Sequence, residues 1–233
     1  LPYDPAVFVA DLSPTHVALL NKFTILSHHL LIVTRLFEEQ QAFLTQRDCE
    51  ALLIGLTEID GLVFYNAGPA AGASQRHKHL QLIPLPDLAG PRLPIEPLLR
   101  SAQILGDIGC LPGLPFRHAY GLMEPEWLDP GKDASASFLA RYRTLLRTAG
   151  MSPEAEPAPS YNLLVTRQWL LLVPRRQECF DGISVNALGF AGTLLVKTAA
   201  QLSALRERGP MTALQQVALP LTVISTLLKK EWR

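Results

Sequence analysis

The sequence predicts an α+β fold, with antiparallel hairpins and helices packed outside them. Short apolar, β-branched runs are bounded by Gly, Pro and Asn, the pattern of strands. Two longer segments carry apolar residues at helical spacing. Tyr161–Thr166 and Trp169–Pro174 read as strands joined by a tight turn at Arg167 and Gln168.

In chain order, Leu30–Thr34 is a strand; Asn21–Leu26 precedes it, and with Ser27, His28 and His29 as a turn the two form a hairpin. Arg47–Asp60 is a helix: Cys49, Leu52, Leu53 and Leu56 fall on one face, Thr45 is the N-cap and Gly61 the stop. Leu62–Asn66 is the next strand, and Ala67–Gln75 is a Gly-rich loop. Extended, His77–Leu82 places His77, His79 and Gln81 on one face, ~7 Å between alternate neighbours. Leu80 and Leu82 then face the core, Lys78 lies at the frayed start, and Pro84 and Pro86 end the strand. Pro91–Pro97 is a surface connection to a short helix near Leu98–Leu105, and Pro112–Pro115 is another turn. Phe116–Met123 is extended. Ala134–Thr148 is a helix with Phe138, Tyr142, Leu145 and Leu146 on one stripe. Met151–Ser160 is a linker and Ile183–Gly192 is mixed. Leu194–Arg208 and Leu214–Lys230 are helical, with a break at Gly209 and Pro210. The 233 residues make one domain, with a core over about 5–205 and C-terminal helices over about 194–233.

A formal charge of +0 and a pI near 7.2 give no field for a nucleic-acid backbone, so any anion site is local. No apolar run approaches the ~20 residues of a membrane span. Cys49, Cys110 and Cys179 are widely spaced, which argues against a disulfide framework or zinc knuckle and fits a reducing cytoplasm. No signal peptide is visible in the sequence, which begins at Leu1 and Pro2 rather than Met.

The run from Gly72 to Gln81 carries the chemistry. A polar, imidazole-bearing strand face after a Gly/Ser loop can hold a phosphate and attack it. A lone histidine in such a place is most often a satisfied core residue. A His-x-His pair can also be half of a metal site, but His16, His28, His29 and His118 lie elsewhere and no Cys pair accompanies them, so no protein-only metal site is read.

The full string Gly-x-Ser-Gln-x-His-x-His-x-Gln resembles the histidine-triad superfamily of nucleotide hydrolases and transferases. Gln81 stands where hydrolases of that group carry a third His, as in the transferase branch. Leu20 to Phe23, His29 to Thr34, Asn66 to Pro69, Tyr161 to Thr166, Trp169, Val173 to Arg175 and Asn186 to Gly192 are similar to the ATP adenylyltransferases, or diadenosine tetraphosphate phosphorylases, over about residues 1–200 in the family's order. Relatives usually carry a further N-terminal segment with a phosphate-contacting Lys, which this sequence does not show.

The resemblance implies a histidine-triad-like antiparallel sheet with helices packed on it, and double displacement at the α-phosphorus. His79 is then the nucleophile, oriented by a backbone carbonyl near His77. Gln81 donates to a non-bridging phosphate oxygen but cannot shuttle a proton, which favours handing AMP to phosphate rather than to water. Ser74 and Gln75, with the N–H groups of Gly72 and Ala73, form a phosphate cradle. Asn66 bonds ribose or phosphate, or caps a turn. Asn21 and Lys22 contact base, ribose or phosphate. Thr166, Arg167 and Gln168 sit at a hairpin that relatives use for the nucleotide or phosphate end, with Arg175 and Arg176 as further phosphate contacts. A divalent cation such as Mg2+ accompanies the nucleotide, without an organic cofactor. Partners are a nucleotide and inorganic phosphate, with no nucleic acid or membrane. A dinucleoside polyphosphate hydrolase and a nucleotide-binding module without turnover are the alternatives.

Overall fold

The computed structural model describes residues 3–23, 27–87 and 90–221. Its centre is a ten-stranded antiparallel sheet in the order β1-β2-β3-β5-β4-β9-β10-β8-β7-β6. Here β1 is Phe8–Asp11, β2 His16–Leu20, β3 Leu30–Thr34, β4 Gly61–Ala67 and β5 His79–Pro84; β6 is Gln103–Leu105, β7 Ile108–Cys110, β8 Ala119–Leu122, β9 Tyr161–Val165 and β10 Trp169–Pro174. A short hairpin of β11 (Cys179–Phe180) and β12 (Ile183–Ser184) stands apart.

One face is covered by α1 (Gln46–Glu58) and α3 (Ser135–Thr148). Leu52 and Leu56 of α1, Phe138 and Leu145 of α3, and Leu80 and Leu82 of β5 are buried together there. Each such side chain contributes about 2 kcal/mol by leaving water. Thr45 caps α1 and pairs with Asp48 as a capping box. The opposite face buries Phe64, Ile83, Leu164 and Leu171 under Val185, Leu188, Phe190 and Leu214. Those residues belong to or flank α4 (Ala187–Phe190) and α6 (Pro210–Val217), with α5 (Ala199–Arg208) between them. β4, β9 and β10 are buried throughout because they are covered on both faces. No helix among the described residues is long and apolar enough to cross a membrane.

Several elements differ from expectation. β3 pairs with β2, at His16–Leu20, and residues 21–23 and 27–29 lie outside any strand. Within the strand read at Asn21–Leu26, residues 24–26 lie outside the described residues. The helix read near Leu98–Leu105 is only α2 (Glu96–Leu99); Gln103–Leu105 instead forms a hairpin with Ile108–Cys110 about the two-residue turn Gly106-Asp107, Gly106 adopting φ +62°. α5 starts at Ala199, where the Thr198 hydroxyl caps it, rather than at Leu194. α6 starts at Pro210, which fits the first helical position, and ends at Val217; Ala218 and Pro220 then bridge to Arg175 and Phe116. The remainder of the helix read to Lys230 lies outside the described residues. Lys78 is not frayed: it is fully buried against α1, with Nζ 2.6 Å from Asp48, 3.1 Å from Glu38 and 3.0 Å from the Phe43 carbonyl.

Candidate active site

His79 opens β5 on the face opposite Lys78. Its cross-strand neighbour is Val33, and that of Gln81 is Leu31. All four are only partly buried, so β3 and β5 present an open patch of sheet. Nδ1 of His79 lies 2.9 Å from the His77 carbonyl oxygen. A carbonyl only accepts, so Nδ1 carries the proton and Nε2 keeps a free lone pair. Burial pushes the His79 imidazole below its ordinary value, and nearby His77 adds to this while the bond to the His77 carbonyl opposes it. The ring is therefore neutral at neutral pH. The His77 ring is spent differently: Nε2 lies 2.8 Å from the Thr34 carbonyl, and the ring packs on Phe37.

The β4–β5 ladder stops at Phe64 opposite Gln81. Where the next pair would form, the buried Gln40 carboxamide enters. It donates to the carbonyls of Asn66 and His79, 3.0 Å each, and accepts from the His79 N–H at 2.8 Å.

In the loop before the histidines, Gly72 adopts φ +85°, and a Cβ there would stand 3.0 Å from the Val185 carbonyl oxygen and from Asn186. Position 72 thus needs glycine both for its conformation and for the close approach of the loop before α4. Under that contact, Asn162 donates to Asn66 Oδ1 at 2.8 Å and to the Ala71 carbonyl at 2.9 Å, while the Ala187 N–H also reaches Asn66 Oδ1. Arg175 is buried, packs over the Phe190 ring and donates to Asn162 Oδ1 and to the carbonyls of Gln177 and Glu178. Burial pushes its guanidinium down to about 10, Glu178 opposing.

Two family models match in sequence order: the Ap4A phosphorylase N-terminal domain over residues 1–101 and the ATP adenylyltransferase C-terminal domain over residues 112–220. The chain belongs to the Ap4A phosphorylase and ATP adenylyltransferase family. It is 32% identical to diadenosine 5',5'''-P1,P4-tetraphosphate phosphorylase 2 of Saccharomyces cerevisiae over 215 residues, 81% of this chain and 64% of that protein. It is 29% identical to Protein APA1 of the same yeast, over 82% of this chain and 64% of that protein. The chain thus spans just under two thirds of the length of these relatives. The crystal structure of yeast Ap4A phosphorylase Apa2 superposes with a TM-score of 0.76 at 28% identity, covering 94% of this chain and 78% of that one. Apa2 in complex with Ap4A superposes at 0.75 and 26%, covering 95% and 80%. The expected antiparallel sheet with helices packed on it is the fold of this family.

Within the family fold, some expected contacts move. The N–H groups of Gly72 and Ala73 already bond the carbonyls of Pro69 and Gly68, so they are not free for an anion. The exposed end of the loop is Ser74, Gln75 and Arg76. Asn66 is buried, and its Oδ1 cross-links Asn162 and Ala187 rather than facing ribose. Asn21 bonds within its loop: Oδ1 accepts from the Phe23 N–H, and Nδ2 lies 3.3 Å from His29 Nδ1. Lys22 pairs with Asp4 at 2.8 Å, both half-exposed. The turn Thr166, Arg167 and Gln168 is at the wrong end of the sheet. Asn162 neighbours the site, and Thr166 is four residues on, about 13 Å along the strand. Arg167 there donates to the Leu56 and Thr57 carbonyls and closes the C-terminus of α1. The Thr166 hydroxyl accepts from the N–H groups of Gln168 and Trp169. Arg176 is exposed and donates to the Gln216 carbonyl at the end of α6.

Sequence reasoning missed Gln40, Asn162 and His29. His29 is buried on the site face beside Phe64. Burial lowers its imidazole, with the Gln81 carboxamide opposing and His79 adding to the effect. His29 Nε2 itself makes no hydrogen bond. Only the register of β3 against β5 brings His29 here, and nothing local in the sequence signals it.

Proposed function

We propose that the chain acts as a diadenosine tetraphosphate phosphorylase through a covalent AMP–histidine intermediate. The observation that carries this reading is His79, whose Nδ1 is tied to the His77 carbonyl and whose Nε2 is free on an open sheet face. Nε2 attacks the α-phosphorus of diadenosine tetraphosphate, the P–O bond to the β-phosphate breaks, and ATP leaves. An oxygen of inorganic phosphate then attacks the same phosphorus, the P–N bond breaks, and ADP leaves with the Nε2 lone pair restored. Gln81, ~7 Å along the same face, donates to a non-bridging oxygen. It has no proton to exchange near neutral pH, so phosphate rather than water is the acceptor.

Ser74, Gln75 and Arg76 receive the phosphates, and Asn21 and Lys22 border the nucleoside end. Mg2+ enters with the polyphosphate and screens its charge. Among the described residues, no group of three or more His, Cys, Asp or Glu side chains converges to hold a metal. Residues 1–233 act as a single nucleotidyltransferase domain, and three free cysteines agree with a reducing cytoplasm.

The test is incubation with labelled diadenosine tetraphosphate, with and without phosphate. ATP plus ADP appears only with phosphate, and without it an acid-labile, base-stable label accumulates on the protein. His79→Ala forms no adduct yet still binds nucleotide. ATP plus AMP formed without phosphate would make the chain a hydrolase, and turnover by His79→Ala would remove the nucleophile.

A further inference from the structure

We propose that Gln40 is a positioning residue for the nucleophile: its carboxamide fixes where the His79 backbone leaves the sheet, and Lys78 clamps the loop that carries it. The proposal rests on the reading of His79 as nucleophile. Gln40 makes three bonds at one point, to the His79 N–H, the His79 carbonyl and the Asn66 carbonyl. It satisfies backbone groups that the ladder would otherwise pair directly, so β4 and β5 are held apart where the imidazole emerges. The Gln40 N–H donates to the Arg76 carbonyl at 2.7 Å, and Tyr65 donates its hydroxyl to the Gln40 carbonyl. Gln40 is therefore bound through both side chain and backbone.

Its loop is pinned at both ends by one ammonium group. Lys78 Nζ reaches the Glu38 carboxylate and the Phe43 carbonyl, two residues before and three after Gln40, and is itself anchored by Asp48. Residues 78 and 79 are neighbours pointing to opposite faces. Fixing Lys78 from below and His79 from beside sets the ring's height and keeps the His77 carbonyl within reach of Nδ1.

A positioning role predicts a defect in chemistry rather than in nucleotide affinity. In Gln40→Ala, formation of the AMP adduct in a single turnover slows by about 100-fold, as a displacement of about 1 Å can cause. The dissociation constant for AMP stays within about threefold of the original. Nitrogen NMR of labelled histidine, in the absence of substrate, reports the His79 tautomer directly. The unsubstituted chain shows one neutral form protonated at Nδ1, and Gln40→Ala shows a mixture. If Gln40→Ala fails to fold, Gln40→Glu replaces it: the carboxylate keeps the acceptor for the His79 N–H but opposes two carbonyls, so the defect shrinks as the pH falls and the carboxyl protonates. An unchanged tautomer and an adduct rate within about threefold of the original, in a folded variant, overturn the proposal. Absence of an adduct in the unsubstituted chain would instead defeat the nucleophile assignment, and the tautomer measurement would still judge Gln40.

Discussion

Lys78→Met removes a buried ammonium and tests how β5 is held to α1. Lys78 and Asp48 are both fully buried, 2.6 Å apart. Breaking a buried pair from one side costs about 3–5 kcal/mol, because the other charge is stranded. Here the remaining carboxylate is not bare. Asp48 keeps His16 at 3.0 Å, the Thr45 N–H at 2.6 Å and the Thr45 hydroxyl at 2.8 Å. The loss should therefore lie at the low end, about 3 kcal/mol. Asp48→Ala leaves Lys78 with the Phe43 carbonyl and the half-exposed Glu38 carboxylate, and also removes the capping box, adding about 1 kcal/mol. With a urea m-value of about 3 kcal/mol/M for a chain this long, the Lys78→Met midpoint falls by about 1 M. The double variant Lys78→Met with Asp48→Asn should lose less than the two single losses added together, since no charge is then stranded.

Acid gives a second reading of the same pair. Burial pushes the Asp48 carboxyl up, but hydrogen bonding to His16 and the charge and hydrogen bond of Lys78 outweigh it and hold the group at about 2. A carboxyl depressed on folding stabilises the fold above its unfolded value and loses that contribution as the pH falls. Roughly 2 kcal/mol should disappear between about pH 4 and pH 2. Lys78→Met should flatten this acid slope. A midpoint shift under about 0.2 M at unchanged m would refute the reasoning, as would an unaltered acid slope.

Arg167→Ala should cost about 1–2 kcal/mol of stability through the two α1 carbonyls it leaves unbonded, with kcat/KM unchanged; a large fall in kcat/KM in a folded variant would return the turn to the site. Gly72→Ala should lower stability by about 1–3 kcal/mol, because an L side chain is strained at φ +85° and meets the Val185 carbonyl; an unchanged urea midpoint would contradict this. Gln81→His should raise the share of AMP over ADP among products, since an imidazole can deprotonate water, and an unchanged phosphate requirement would count against that account. The acid limb of adduct formation should lie below the ordinary imidazole value of about 6.5, because a depressed pKa keeps Nε2 unprotonated to lower pH; a limb at or above that value would show His79 is not held as described.

Local pattern made much of this fold legible. The α1 stripe with its Thr45 cap, the α3 stripe and the hairpin about Arg167 and Gln168 all follow from spacing within a few residues. The turn Gly106-Asp107 carried a hairpin signal too, but helix-favouring residues before it masked that signal. At the site, His77, His79 and Gln81 were readable because alternation along one strand is local. Gln40, Asn162 and His29 were not, since each reaches the site through a pairing dozens of residues away in sequence. Arg167 illustrates the converse error. An arginine at a hairpin tip suits phosphate by chemistry, yet the free carbonyls at the end of α1 suit it equally, and only topology decides between them.

The alternation that exposed the histidines also hid the lysine between them. A charged residue flanked by two polar ones near a strand end looks solvated, because the chain alone does not disclose what covers each face. The two faces here differ. α1 closes over positions 78, 80 and 82, whereas positions 79 and 81 stay only partly buried beside Val33 and Leu31. A reactive imidazole needs both conditions at once: a rigid anchor on one side, so that its lone pair keeps its direction, and no cover on the other, so that a phosphorus can approach. Burying Lys78 against Asp48 supplies the first without occupying any of the space required by the second. On this reasoning, a hydrophobic replacement of both charges that restored stability would also preserve catalysis, provided the loop carrying Gln40 kept its place. Recovery of stability without recovery of adduct formation would show that the loop, rather than the ion pair itself, is what β5 requires.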